Sequence, residues 1–291
     1  MDSAPTAVSC RLAVLLARAA PVAVVLRRGP ARWVQLVRWR TDTDAFEPGQ
    51  WFHGRVYDRR CDLSPDGSLL IYFASKFTGR TLADRAYTYA WTAVSRPPYF
   101  TALALWPKGD CWHGGGLFPG PTRIWLNHHP AVAAPHPRHR PQGLTVEPNP
   151  EAWGEDRPVW FRRMARDGWN LIEEGVFSMA GGEWRTDRRE VWERPSPAGP
   201  AVLRRSTDAI SFRYPGGPYL ESFRVMTDAG EVPVPGASWA DWDQAGRLVF
   251  ARDGQLLTAA VEGGRLAERE LIDLNPATPT RVEAPEWARR W

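Results

Sequence analysis

The chain has 291 residues, 43% hydrophobic and 24% charged, the composition of a folded globular protein and not of a disordered or fibrous one. The formal net charge is +4, yet all 37 basic residues except Lys76 and Lys108 are Arg, scattered singly or in pairs such as Arg59-Arg60 and Arg162-Arg163. Solvated faces account for such pairs, so nucleic-acid binding is not expected.

Cys10, Cys61 and Cys111 are odd in number and widely spaced, with no CxxC pattern. That excludes a disulfide framework and points to a reducing, cytoplasmic compartment. The apolar runs at 12–16 and 21–26 fall short of the ~20 residues a membrane span needs. Asp2 is the only charge among the first ten residues, so both runs read as strands. A cleaved signal within residues 1–20 is the alternative, and would place the protein in the periplasm or outside the cell.

In chain order, strands are expected at 12–17, 22–28, 33–40 and 46–52, a first unit over 11–55. The second unit, 57–107, holds a strand–turn–strand stretch from Asp58 to Ala74, then strands at 87–94 and 100–106, with a charged insert at 76–85. The third, 110–149, opens on Asp110-Cys111-Trp112-His113-Gly114-Gly115-Gly116 and leads to a strand at 122–126. A loop of four His and four Pro follows over 127–142, mobile by its proline content, with one more strand at 143–147. Residues 149–158 read as a linker.

The fourth unit, 157–197, has strands at 159–164, 169–173 and 190–193. The fifth, 200–235, has strands at 202–205, 210–214, 219–226 and 231–234, with Pro215-Gly216-Gly217-Pro218 between strands. The sixth, 237–275, has strands at 238–243, 248–252, 256–261 and 266–274. The tail, 276–291, should pack over an edge, because Trp287 and Trp291 are costly to expose. No stretch sustains helical apolar spacing over three turns, so almost no helix is expected.

Within the second unit, Asp62-Leu63-Ser64-Pro65-Asp66-Gly67 precedes the apolar run Leu69 to Ala74. Pro65 presets φ, Asp66 can cap the turn, and Gly67 tolerates φ > 0. The design returns as Asp241-Trp242-Asp243-Gln244-Ala245-Gly246 before Leu248 to Ala251. Recurring strand–turn–strand units of about 45 residues are the mark of a repeat architecture. The Ser-Pro-Asp-Gly turn resembles the signature of WD40-like and TolB-like β-propeller repeats. Residues 46–74 and 103–118 also resemble bacterial propeller-like proteins of no assigned activity. Regular Gly-His and Trp-Asp pairs are absent apart from Trp242-Asp243. The resemblance implies a single all-β propeller over 1–291, six blades preferred and five possible, that binds proteins or small ligands on its faces.

For chemistry, Cys111 and His113 sit two apart and would share a strand face. His128 and His129 follow, and His136 and His139 lie further along the loop. Imidazole ligates divalent metals, so His113, His128 and His129 are the candidate ligands of one divalent metal ion. The spacing matches no named metal pattern. A calcium loop at Asp62 or Asp241 would need Glu at its twelfth position, where Phe73 and Arg252 stand. Nucleophile elbows, zincin helices and phosphate loops are all missing. The expected function is therefore a non-enzymatic binding or scaffold module for a protein partner, with no cofactor. The alternative is a metal-dependent, lactonase-like hydrolase at the mouth of the central channel.

Overall fold

The computed structural model describes residues 10–29, 31–151, 154–181, 183–211 and 218–291. Strands hold 49% of residues and helices 9%, in several sheets, so the fold is all-β. The chain divides into two compact units, residues 14–163 with 278–291 and residues 1–13 with 164–277.

The first unit begins in β1 (Arg11–Leu16), whose residues from Val14 belong to it, and continues through β2 (Val22–Arg28), β3 (Trp33–Arg40) and β4 (Ala45–His53). These four form one sheet in sequence order. Val22 to Leu26 are all buried, as a β-branched run covered on both faces requires. These boundaries agree with the sequence expectation to within a residue.

The second sheet holds β5 (Arg55–Val56), β6 (Asp62–Leu63), β7 (Leu70–Ser75), β8 (Ala90–Ser95) and β9 (Ala104–Pro107). Both β5 and β6 pair with β7, which pairs with β8, and β8 with β9. The turn into β7 is built as its residues dictate. Asp66 Oδ1 accepts from Ser64 Oγ at 2.6 Å and from Ser68 N at 3.1 Å, and Gly67 sits at φ 74°. Inside the charged insert is α1 (Gly79–Ala83), opened by a reciprocal Thr78–Thr81 capping box.

The third sheet is β10 (Gly116–Gly120), β11 (Arg123–Leu126) and β12 (Thr145–Pro148). Here β10 and β11 are antiparallel, while β11 and β12 are parallel. Ile71, Trp106, Phe118, Ile124 and Leu126 lie at the centre of the core between these strands, and Trp291 packs against it. Trp291 Nε1 donates to Arg140 O at 3.0 Å. Trp287, expected to be covered as well, stays 53% exposed beside the edge of Tyr99.

The strand expected at 159–164 is instead part of a helix, α2 (Arg157–Arg166). Pro158 suits a first helical turn, Trp160 N donates to Asp156 O, and Arg157 stacks on Phe161 one turn on. Val159, Trp160 and Arg163 are buried, a helical spacing that a six-residue apolar window disguises as a strand.

The second unit has β13 (Asn170–Glu173), β14 (Val176–Ala180), β15 (Glu183–Arg188), β16 (Glu190–Pro195), β17 (Val202–Ile210), β18 (Tyr219–Thr227) and β19 (Gly230–Pro233). The order β13-β16-β17-β18-β19 makes one sheet, and β14–β15 is a separate hairpin. The hairpin was not anticipated. The two strands expected at 202–205 and 210–214 begin instead as one continuous β17. Residues 212–214, with 215–217 of the Pro-Gly-Gly-Pro turn, lie outside the described residues.

The last sheet, β20 (Trp239–Trp242), β21 (Leu248–Arg252), β22 (Gln255–Glu262) and β23 (Arg265–Asp273), is an antiparallel meander in sequence order. Its first turn repeats the Asp66 device. Asp243 Oδ1 accepts from Ala245 N at 3.0 Å and Arg247 N at 2.9 Å, and Gly246 sits at φ 79°.

Candidate functional site

The Arg pairs are not simply solvated faces. Arg27, Arg60, Arg163 and Arg205 are buried, Arg60 completely. A buried guanidinium must have its donors met, and Arg60 meets them by tying two loops together. Its Nε donates to Asp156 Oδ1 at 2.5 Å and its Nη2 to Glu155 Oε2 at 3.0 Å. Its Nη1 donates to Cys111 O at 2.6 Å and His113 O at 3.0 Å. Tyr57 and Phe73 stack on the guanidinium at 4.8 and 5.2 Å.

The glycines after His113 are needed for this close packing. A Cβ at Gly115, which sits at φ 78°, would lie 2.1 Å from Arg60 O, and one at Gly114 would lie 2.3 Å from the Phe73 ring. On the other side of the loop, Lys108 Nζ reaches Asp110 Oδ2 at 2.5 Å, and Asp110 Oδ1 accepts from Trp112 N at 2.9 Å. The backbone around residue 112 is thus fixed from both sides. The Trp112 side chain nevertheless stands 66% exposed.

Beneath the glycines runs a buried polar chain. Gly115 N donates to Thr92 Oγ1 at 2.8 Å, and Thr92 Oγ1 lies 2.8 Å from His128 Nε2. Asn149 Nδ2 donates to Asn127 Oδ1 at 3.0 Å, and Asn127 N donates to Gly115 O. Thr92, Asn127 and His128 are fully buried. Burial holds the His128 imidazole down to about 4, with Lys108 and His113 adding to the effect. The Val132 backbone favours the charged ring, but Nδ1 makes no hydrogen bond of ordinary geometry. His128 is therefore neutral at pH 7.

The other sequence candidates have separate partners. His113 is half-buried, with Nδ1 at 3.2 Å from Gly154 O. His129 is exposed, and its Nδ1 accepts from Ala131 N at the start of a 3-10 turn. Among the described residues no three His, Cys, Asp or Glu side chains are grouped closely enough to hold a metal ion.

Cys10 and Cys61 are buried thiols, Cys111 is partly buried, and no disulfide joins them. Burial pushes the Cys61 thiol up to about 12, which makes it inert near neutral pH. No helix among the described residues is long and apolar enough to cross a membrane.

No family model matches the chain. No curated protein matches it either. Among solved structures the chain is similar to that of the tricorn protease, at 10% identity and a TM-score of 0.23, over 90% of this chain and 22% of that one. This chain thus spans 22% of that protein's length.

Proposed function

We propose that this protein is a non-enzymatic binding or scaffold module of the WD40-like and TolB-like propeller kind, cytoplasmic, acting on a protein partner. The two four-stranded sheets that follow the chain in sequence order, β1 to β4 and β20 to β23, support this reading, since propeller blades are four-stranded sheets. Six blades in one domain remain the preferred count.

The observation that carries the binding reading is Trp112. A large aromatic side chain exposed on a backbone pinned by Arg60 and Asp110 loses little entropy on association, and such residues dominate interface energetics. Pinning without a reactive constellation suits recognition better than catalysis.

The test is chemical cross-linking in cell extract followed by affinity capture, with Trp112→Ala as the matched variant. Truncation should leave the unfolding free energy within about 0.5 kcal/mol of the parent, as expected for an exposed site. It should weaken capture of a specific partner by about 2 kcal/mol, roughly thirtyfold. Equal capture by the two proteins would remove Trp112 from the interface. Metal content measured on protein purified without a His tag separates the rival reading: one divalent ion per chain, lost in His113→Ala, would favour the hydrolase.

A further inference from the structure

The His-Pro loop between β11 and β12, mobile by its sequence, is strapped to the outer side of β9. His136 N donates to Leu105 O at 2.8 Å, and Leu105 N donates to His139 O at 3.0 Å. The turn is closed by His139 N donating to His136 O at 2.9 Å. The strap covers backbone groups at a strand edge, where unpaired N–H and C=O groups invite pairing with another chain.

Its anchor is a cluster of three rings. The His136 ring stacks on Tyr87 with centroids 4.0 Å apart and planes at 23°. The His139 ring meets Tyr87 edge-on at 5.8 Å and lies 5.5 Å from the His136 ring. Tyr87 itself is placed by Asp84, whose Oδ1 accepts from Ala86 N and Tyr87 N, both at 2.9 Å.

The hydrogen bond at His136 requires a neutral ring. His136 Nδ1 accepts from Arg138 N at 3.2 Å, so it must carry a lone pair. His139 Nδ1 lies 3.1 Å from Ala102 O, a carbonyl that can only accept, so Nδ1 holds the proton. His139 Nε2 then accepts from the Tyr87 hydroxyl at 3.3 Å. Protonating His136 sets an N–H against the Arg138 N–H. Charging His136 places a cation beside the His139 ring and Arg138, and the Asp84 carboxylate opposes this. Arg80 in turn faces Asp84.

We propose that residues 135–139 form a pH-sensitive strap that closes the β9 edge when His136 is neutral and releases it when His136 is protonated. The sign follows from linkage. Burial, then His139 and Arg138, hold His136 below its ordinary value of 6.5. The released strap therefore binds more protons than the closed one, and closure is lost as pH falls below 6.5. The product of release is a bare strand edge at Leu105, available for strand pairing.

The test is residue-resolved hydrogen exchange on the whole protein at pH 7.5 and pH 5.0, corrected for the intrinsic pH dependence. The Leu105, His136 and His139 amides should lose about tenfold in protection at pH 5.0 relative to amides of the β2–β3 ladder, which report global stability. In His136→Gln the ratio of strap to ladder protection should no longer change with pH. If that variant does not fold, imidazole titration of the parent protein by NMR decides: protonation of His136 should coincide with loss of strap protection. Unchanged strap protection in the parent at pH 5.0, or His136 protonation with the strap still protected, would overturn the proposal.

Discussion

Arg60→Met is expected to destabilise the protein by about 3–5 kcal/mol, the cost of breaking a buried, hydrogen-bonded ion pair by removing one partner. The substitution keeps the aliphatic volume between Tyr57 and Phe73 but removes the Arg60 donors that Cys111 O, His113 O and the Asp156 carboxylate accept from. The ion pair to Asp156 contributes more than that to Glu155, because the Asp156 side chain is 15% exposed and that of Glu155 56%. Urea unfolding followed by tryptophan emission measures the loss. Arg60→Lys should recover less than half of it, since one ammonium cannot span four acceptors in two loops. Asp156→Asn should cost less than Arg60→Met, because the carbonyls of the 111–113 loop keep their donor. A loss below about 1 kcal/mol for Arg60→Met would mean that the two loops are held by packing alone.

Acidification should produce the second large effect. His128 holds its proton at about 4 in the folded protein, against an ordinary value of 6.5. The unfolded chain therefore takes up the proton first, and stability falls as pH drops from 6.5 to 4. At 1.36 kcal/mol per unit, the total is about 3 kcal/mol, present in full above pH 6.5 and absent below pH 4. His136, also held below 6.5, acts in the same direction. Asp66 and Asp84, held below their ordinary 3.8, lose their contributions only at lower pH. A pH series of urea midpoints should thus slope between 6.5 and 4, and His128→Gln should flatten most of that slope. An unchanged slope in His128→Gln would place the acid sensitivity elsewhere.

How far the residues announced these features varied with how local the determinants were. The β2 and β3 boundaries and the turns at Asp66 and Asp243 were legible, because apolar runs and turn chemistry act over a few residues. The helix at 157–166 was not, since Val159 and Trp160 are as compatible with a strand as with one face of a short helix. The hairpin β14–β15 was missed for another reason. Ser178, Thr186 and Asp187 break the apolar alternation, Val176 and Met179 are exposed, and Phe177 and Trp184 are only half-buried, so the ladder imprints little on the sequence.

At the candidate site, the His residues drew attention while their ring nitrogens answered to separate partners. Arg60 drew none: beside Arg59 it looked like a solvated pair. Its principal partner, Asp156, lies 96 residues away, and no local spacing encodes such a contact. The Gly114-Gly115-Gly116 run was the one signal that could have exposed it, read as a place where backbone closes on a neighbour and not as a loose loop.

The parallel pairing of β11 with β12 has a consequence for how the first unit folds. The β2–β3, β3–β4, β7–β8 and β10–β11 ladders of that unit join strands that run in opposite directions, and several are linked by tight turns. Thr145 can meet Arg123 only after the intervening His-Pro segment has closed into a long crossover. Closing it costs chain entropy before any ladder bond forms. The β11–β12 contacts should therefore be acquired late, after the antiparallel meanders, with φ-values near zero at Ile124 and Val146. Ribosomal synthesis delivers β12 after its partner, so a nascent chain would hold the Ile124 edge of β11 open until the crossover had emerged.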